Sequence, residues 1–356
     1  MKPLIYDFDL SALTEIVTNW GEPAYRAVQI WQGVYRNFWN APEAFTPLPK
    51  NLRERLAETF TFQPLTPTLK LDSRDGQTRK TLFRLADGLQ IEAVLMRYDN
   101  ETYRSRSRRT LCISTQAGCA MGCVFCATGQ MGFRRHLTSG EIVAQVMYYA
   151  RLLQEQGETV TNIVLMGMGE PFHNYDNTMA AIDRLNDPQG YNFGARRFTI
   201  STSGLVPAIR RFAAEKRQVN LAVSLHAVED EARSAMMPVN KKYPIAELLA
   251  ACREYAQATG RRVTFEWALI EGVNDTPETA RKLADLLQGL LCHVNAIPLN
   301  PTRGYSGRAS GRERAEEFRK ILEARGIPCT VRVRRGIDIQ AGCGQLAARA
   351  SSAEAA

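Results

Sequence analysis

Cys119, Cys123 and Cys126 place three thiols on one short stretch in the spacing C-x3-C-x2-C. Three thiolates so arranged can wrap an iron–sulfur cubane and bind three of its irons. The fourth iron then keeps an open coordination position, which a reactive metal centre needs. A structural zinc site wants a fourth protein ligand, and no cysteine or histidine follows at zinc-finger spacing. A second chemical segment, Gly167-Met168-Gly169-Glu170-Pro171, follows a strand-like run. Its glycines let backbone approach a ligand, and its carboxylate suits an ammonium group. Taken alone, that pentapeptide reads equally well as a glycine turn at a strand end.

The surrounding pattern shows what must position these groups. Short β-branched runs at Leu111–Thr115, Asn162–Met166, Phe198–Ser201, Leu221–Leu225, Val263–Leu269, Val294–Pro298 and Thr330–Val333 alternate with helical stretches. Such alternation implies parallel strands joined by helical crossovers, in an open sheet or a barrel, with chemistry at the carboxyl ends of the strands. Both motifs fall at such ends. Helix starts are signalled by two capping boxes, Thr138 to Glu141 and Ser310 to Glu313, and by Thr276-Pro277. Upstream, breaker clusters divide residues 1–75 into small helices at Ser11–Trp20, Tyr25–Phe38 and Lys50–Thr59. Lys80–Arg84 and Leu89–Arg97 then pair as a hairpin turned at Asp87-Gly88.

The chain has 356 residues, 45% apolar and 23% charged, the composition of an ordered globular protein. Acids stand in the first residues where a secretory signal would be apolar, and no apolar run approaches the roughly 20 residues that cross a bilayer. A cytoplasmic protein without membrane contact is therefore expected, its cysteines thiols or metal ligands rather than a disulfide framework. The net charge of +8, with arginines at 104, 106, 108 and 109 and basic pairs elsewhere, suits a polyanionic partner.

Longer motifs carry a resemblance. Cys119 to Cys126 with Gly167 to Pro171 resembles the radical S-adenosylmethionine superfamily. Cys112 to Cys119, Cys126 to Gly129, Ser201 to Gly204, Ser224 to Ala227, Pro238 to Lys242, Ile297 to Pro301 and Gly336 to Gln345 are similar to segments of its RlmN/Cfr family of RNA adenosine methylases, the RlmN branch above all. The likeness covers nearly the whole chain. It implies an α/β fold, a partial (β/α)6 TIM-like barrel with a small helical N-terminal domain. The implied division is 1–75 helical accessory and RNA-binding, 76–104 a hairpin linker, 105–338 the radical core, and 339–356 the segment with a methyl-carrying cysteine loop.

The resemblance also implies the chemistry. Cys119, Cys123 and Cys126 would hold a [4Fe-4S] cluster, and two S-adenosylmethionine molecules would be used per turnover. Gly169, Glu170, Ser201, Ser224, Leu225, His226 and Asn300 match cofactor-contacting positions. Cys343, between two glycines, matches the cysteine that first receives the methyl group, whose radical then adds to adenine. Cys112 matches a second cysteine that helps remove the ring proton and releases product through a disulfide with Cys343. Glu92 matches a proton acceptor near the target base. For each there is a plainer role: a buried strand cysteine for Cys112, an exposed strand glutamate for Glu92, strand-end caps for the polar contacts. The implied product is C2-methyladenine in 23S rRNA, at the peptidyl-transferase centre, and in tRNA next to the anticodon. The implied partners are those RNAs and a reduced flavodoxin or ferredoxin, acting on a monomer. A C8-adenine methylase of the Cfr type and a noncatalytic iron–sulfur RNA-binding protein are the competing expectations.

Overall fold

The structure, a computed structural model, describes residues 2–98, 107–302, 304–332, 336, 338–339, 345 and 347. Three helices open the chain: α1 (Leu10–Asn19), α2 (Tyr25–Tyr35) and α3 (Lys50–Thr59). Three antiparallel strands follow, β1 (Thr66–Asp72), β2 (Thr78–Arg84) and β3 (Gln90–Tyr98). The remainder runs β4 (Arg108–Cys112), β5 (Gln116–Gly118), α4 (Ala127–Gln130), β6 (Phe133–His136), α5 (Ser139–Gln154), β7 (Asn162–Leu165), α6 (Tyr175–Asn186), β8 (Phe198–Thr202) and α7 (Val206–Ala214). It continues β9 (Asn220–Ser224), α8 (Asp230–Met236), α9 (Ile245–Thr259), β10 (Val263–Leu269), α10 (Pro277–Leu286), β11 (Cys292–Pro298), α11 (Arg312–Ala324) and β12 (Cys329–Val331).

Among the described residues one ten-stranded sheet runs in the order β1-β2-β3-β4-β7-β8-β9-β10-β11-β12. From β4 to β12 every neighbour is parallel, so six strand-helix units and a closing strand build a partial barrel, as expected. The hairpin region does not stand apart: β3 pairs antiparallel with β4, setting Val94 opposite Cys112. One strand missed by sequence reading is β1. It is an exposed edge strand carrying Pro67 and Lys70, with a register break between Pro67 and Leu69, and edges are where proline and lysine are tolerated.

The helical leader is packed onto the barrel. Ile5, Tyr6, Leu13, Val17, Ile30, Trp31 and Tyr35 share one apolar core with the barrel strands. Asp7 accepts the Gly140 backbone N–H at 2.7 Å on the first turn of α5, and a Cβ on Gly140 would stand 2.7 Å from that carboxylate oxygen. The Thr138–Glu141 capping box forms with both reciprocal bonds. Thr276 likewise caps α10. The second expected box does not form: α11 starts at Arg312 with Gly311 as its cap, and no side chain closes it. Ser310 lies one residue too early, buried, with its hydroxyl unsatisfied by any described group.

Candidate active site

The carboxyl ends of the parallel strands open onto a cleft of about 300 Å³. Its walls include all three motif cysteines, Gly169 and Glu170 beyond β7, Ser201 from β8, Ser224 and His226 at β9, and Asn300 beyond β11. Residues distant in sequence are thus collected where this architecture puts its ligands. Leu225 is fully buried and does not line the cleft; it contributes backbone, its N–H donating to the Glu266 carbonyl.

The cysteine loop leaves β5 and is closed by β6, a short ladder that sequence reading did not foresee. Gly118, at φ +75°, ends β5 where an added Cβ would sit 1.9 Å from the Gly132 carbonyl oxygen, so glycine is required. Burial pushes the Cys119 thiol up to about 12 and the Cys123 thiol higher still. Among the described residues no three His, Cys, Asp or Glu side chains converge as they would on one bound ion. A cubane takes its thiolates on separate irons, so three thiols lining one cavity without meeting at a point fit a cluster better than zinc.

Two glycines let the Gly-Glu-Pro segment pack tightly against Ile113 and Gln116. A Cβ on Gly167 would lie 2.6 Å from the Ile113 carbonyl carbon, and one on Gly169 (φ +99°) would lie 2.5 Å from Gln116 Cβ. Glu170 is fixed by backbone amides: one oxygen takes the Phe172 N–H at 3.0 Å, the other the Ser203 N–H at 2.7 Å. Burial pushes its carboxyl pKa above the usual carboxylate value, and those two amides oppose the rise. Gln116, unremarked in the sequence beyond its motif, accepts the Glu170 N–H at 2.8 Å. A buried carboxylate and three thiols on one cleft are a donor set that fits an amino-acid-bearing cofactor and a cluster together.

His226 adopts φ +59°, a strained conformation for a residue with a Cβ. Its Nδ1 accepts the Ala268 N–H at 2.9 Å, and burial drives its pKa down to about 3, so the ring is neutral. That ring meets Phe125 of the cysteine loop edge-on, with centroids 4.9 Å apart. Behind it, the fully buried Arg233 donates to the carbonyls of Ser203, Ser224 and Leu225 and to Asn240 Oδ1. One guanidinium therefore ties the ends of β8 and β9 together, and it explains why the Pro238-Val239-Asn240 motif matters.

The expected catalytic residues lie differently. Cys343 is outside the described residues. Cys112 is buried at the end of β4, opposite Val94 and Val164. No disulfide joins two described cysteines. Glu92 is 2% exposed, not an exposed strand residue. One oxygen faces the Lys80 ammonium at 2.7 Å, the other accepts the Ala347 N–H at 2.6 Å, and neither Glu92 nor Cys112 lines the cleft. Gln345, two residues before Ala347, does line it. The arginine cluster is also only partly available: Arg104 and Arg106 lie outside the described residues, and Arg109 is 8% exposed and bidentate to Glu158.

Comparison with known proteins agrees with this geometry. Residues 113–287 match the Radical SAM superfamily, and residues 5–62 match the ribosomal RNA large subunit methyltransferase N-terminal domain. A probable dual-specificity RNA methyltransferase RlmN of Chloroflexus aurantiacus is 51% identical, over 98% of this chain and 93% of its own. The dual-specificity RNA methyltransferase RlmN 1 of Myxococcus xanthus is 49% identical, over 97% and 94%. A crystal structure of a radical SAM methyltransferase from Sphaerobacter thermophilus superposes with a TM-score of 0.92, at 54% identity over 96% of this chain and 98% of that one.

Proposed function

The chain belongs to the RlmN family of radical S-adenosylmethionine RNA methyltransferases, and from that membership we propose that it methylates C2 of adenine in 23S rRNA, at the peptidyl-transferase centre, and in tRNA beside the anticodon. The observation that carries the reading is that one cleft brings the three motif cysteines together with Glu170, Ser201, Ser224, His226 and Asn300. No described helix is long and apolar enough to cross a membrane.

The amidine carbons of adenine are electron-poor and resist nucleophilic attack on a methyl donor; the cluster and S-adenosylmethionine, when bound, supply radical chemistry that avoids this barrier. Cys119, Cys123 and Cys126 are proposed to hold three irons. Glu170, locked by two backbone amides, accepts from the cofactor's amino group, and Gly167 and Gly169 let its segment pack against Ile113 and Gln116. The neutral His226 ring holds Phe125 and hence the shape of the cysteine loop. Cys343 is the proposed methyl carrier and Cys112 the thiol that frees the product. Glu92 is the proposed proton acceptor, its two oxygens held by the Lys80 ammonium and the Ala347 N–H. A reduced flavodoxin or ferredoxin is the proposed electron source, acting on a monomer. Residues 1–75 are the proposed RNA-binding accessory unit, 76–104 the link, 105–338 the catalytic core and 339–356 the carrier segment.

The deciding experiment incubates reduced, cluster-loaded protein with cofactor and RNA and identifies the modified nucleoside by mass spectrometry. C2-methyladenosine supports the proposal, C8-methyladenosine moves the chain to the other regiochemistry, and absence of any product sinks both. Cys112→Ala should stall with RNA covalently held by the protein, visible as an RNA-containing band on a denaturing gel and mapping to Cys343. Normal turnover by that variant would overturn the division of labour.

RNA should also be held by charge. Lys241 and Lys242 are exposed, and Lys242 lines a second cavity of about 540 Å³ with Ala120 and Met121 of the cysteine loop. Reversing both to glutamate should weaken RNA binding and reduce the slope of log affinity against log salt by about 0.7–0.9 per lost phosphate contact. Cofactor binding should be untouched. An unchanged slope would count against this face.

A further inference from the structure

Strand β10 hides a charged residue that no motif announced. Phe265, Trp267 and Leu269 pack into the main apolar core, Trp267 against Phe318 of α11. The alternate positions Glu266 and Ala268 line the cleft. A strand buried on both faces of a parallel sheet is ordinarily apolar throughout, so an acid at an inward position needs a reason. Oε2 accepts from Asn295 Nδ2 at 2.7 Å, and Asn295 Oδ1 in turn accepts from Arg332 Nε at 2.7 Å. Among the described residues no donor reaches Oε1.

The position within the sheet says what Oε1 could meet. Glu266 stands level with Ser224 on β9 and with Asn295 on β11. Crossing the sheet, the cleft presents Glu170 after β7, Ser201 on β8, Ser224 on β9, Glu266 on β10, and Ile297, Pro298 and Leu299 at the end of β11. The ammonium-accepting acid is at one side and an apolar wall suited to a flat base is at the other. Adjacent strands lie about 4.8 Å apart, so Glu266 is placed over the middle of any molecule that reaches from one to the other.

We infer that Glu266 is a cofactor-binding residue whose cleft-facing oxygen accepts hydrogen bonds from the ribose hydroxyls of S-adenosylmethionine. Carboxylates recognise vicinal ribose hydroxyls in other nucleotide-binding folds by the same chemistry. Burial pushes Glu266 up to about 7, with Asn295 and Arg332 opposing, and hydroxyl donors would stabilise its charged form. The inference rests on the cleft being the cofactor site.

The test measures dissociation constants on cluster-loaded protein for S-adenosylmethionine and for its 2′-deoxy and 3′-deoxy analogues, by anaerobic titration calorimetry. Wild type should lose roughly ten- to hundredfold in affinity when a contacted hydroxyl is removed. Glu266→Gln keeps the volume and an acceptor for Asn295. It should bind the full cofactor roughly ten- to hundredfold more weakly and no longer distinguish the deoxy analogue. Glu266→Asp, which keeps the charge but withdraws it, should fall between. If Glu266→Gln weakens all three ligands equally, or leaves wild-type discrimination intact, Glu266 is structural and the inference fails. If wild type binds no S-adenosylmethionine at all, the cofactor reading of the cleft fails and takes this inference with it.

Discussion

Replacing any one of Cys119, Cys123 or Cys126 with alanine should strip the protein of cluster iron and abolish production of 5′-deoxyadenosine from S-adenosylmethionine. Each of these cysteines lines the cleft, and no other described cysteine does. Thiolate ligation is what holds such a cluster, and two thiolates cannot secure a cubane against loss to solution. The matched controls are Cys252→Ala, Cys292→Ala and Cys329→Ala. Those cysteines are buried in the apolar core, and none of them lines the cleft. All three control variants should keep full iron content and full cofactor cleavage. Iron measured on reconstituted protein, with 5′-deoxyadenosine quantified by chromatography, separates the two groups. A motif variant with wild-type iron and cleavage would refute the ligand assignment.

How far the sequence carried this reading depends on how local each signal was. The parallel strands were legible because β-branched runs bounded by helix starts are local patterns, and β7 to β11 fall within two residues of where the pattern put them. Edge strand β1 was not, because its residues are mostly exposed and Pro67 argues against any central strand. The cysteine and Gly-Glu-Pro motifs were legible because the chemistry needs those types in those spacings. Glu266 and Arg233 were not: each does its work through partners on other strands, Asn295 for one and the Ser203, Ser224 and Leu225 carbonyls for the other. A signal for Glu266 did exist, a lone acid inside Val-Thr-Phe-Glu-Trp-Ala-Leu, and it becomes decisive only once the strand is known to be parallel and central. The Ser310 box failed for a related reason, since a cap depends on where the chain enters α11 and not on the four-residue pattern alone.

Glu92 shows the same limit, and it sets up the second large effect. Lys80→Met should destabilise the protein by about 3–5 kcal/mol, the usual cost of breaking a buried ion pair from one side. Lys80 is 0% exposed and Glu92 2%, and their charged atoms stand 2.7 Å apart on neighbouring strands β2 and β3. Methionine fills the lysine's volume but presents a thioether to a carboxylate that water cannot reach. Lys80→Met/Glu92→Leu removes both charges and should recover most of the loss, because exchanging a buried pair for apolar groups is often close to neutral. The double variant also takes away the acceptor for the Ala347 N–H, so its C-terminal segment should become more open to proteases than that of the wild type. Denaturant unfolding of the single and double variants reads the first effect, and limited proteolysis reads the second. A Lys80→Met variant within about 0.5 kcal/mol of wild type would show that the pair is not coupled as its geometry requires. The same pairing governs how activity data on Glu92 must be interpreted. Glu92→Gln strands the buried Lys80 ammonium as well as removing a proton acceptor, so lost methylation in that variant mixes stability with chemistry. Comparing Glu92→Gln with Lys80→Met/Glu92→Gln separates them: methylation that returns in the double variant assigns Glu92 to anchoring, and methylation that stays absent in a stably folded double variant assigns it to proton transfer.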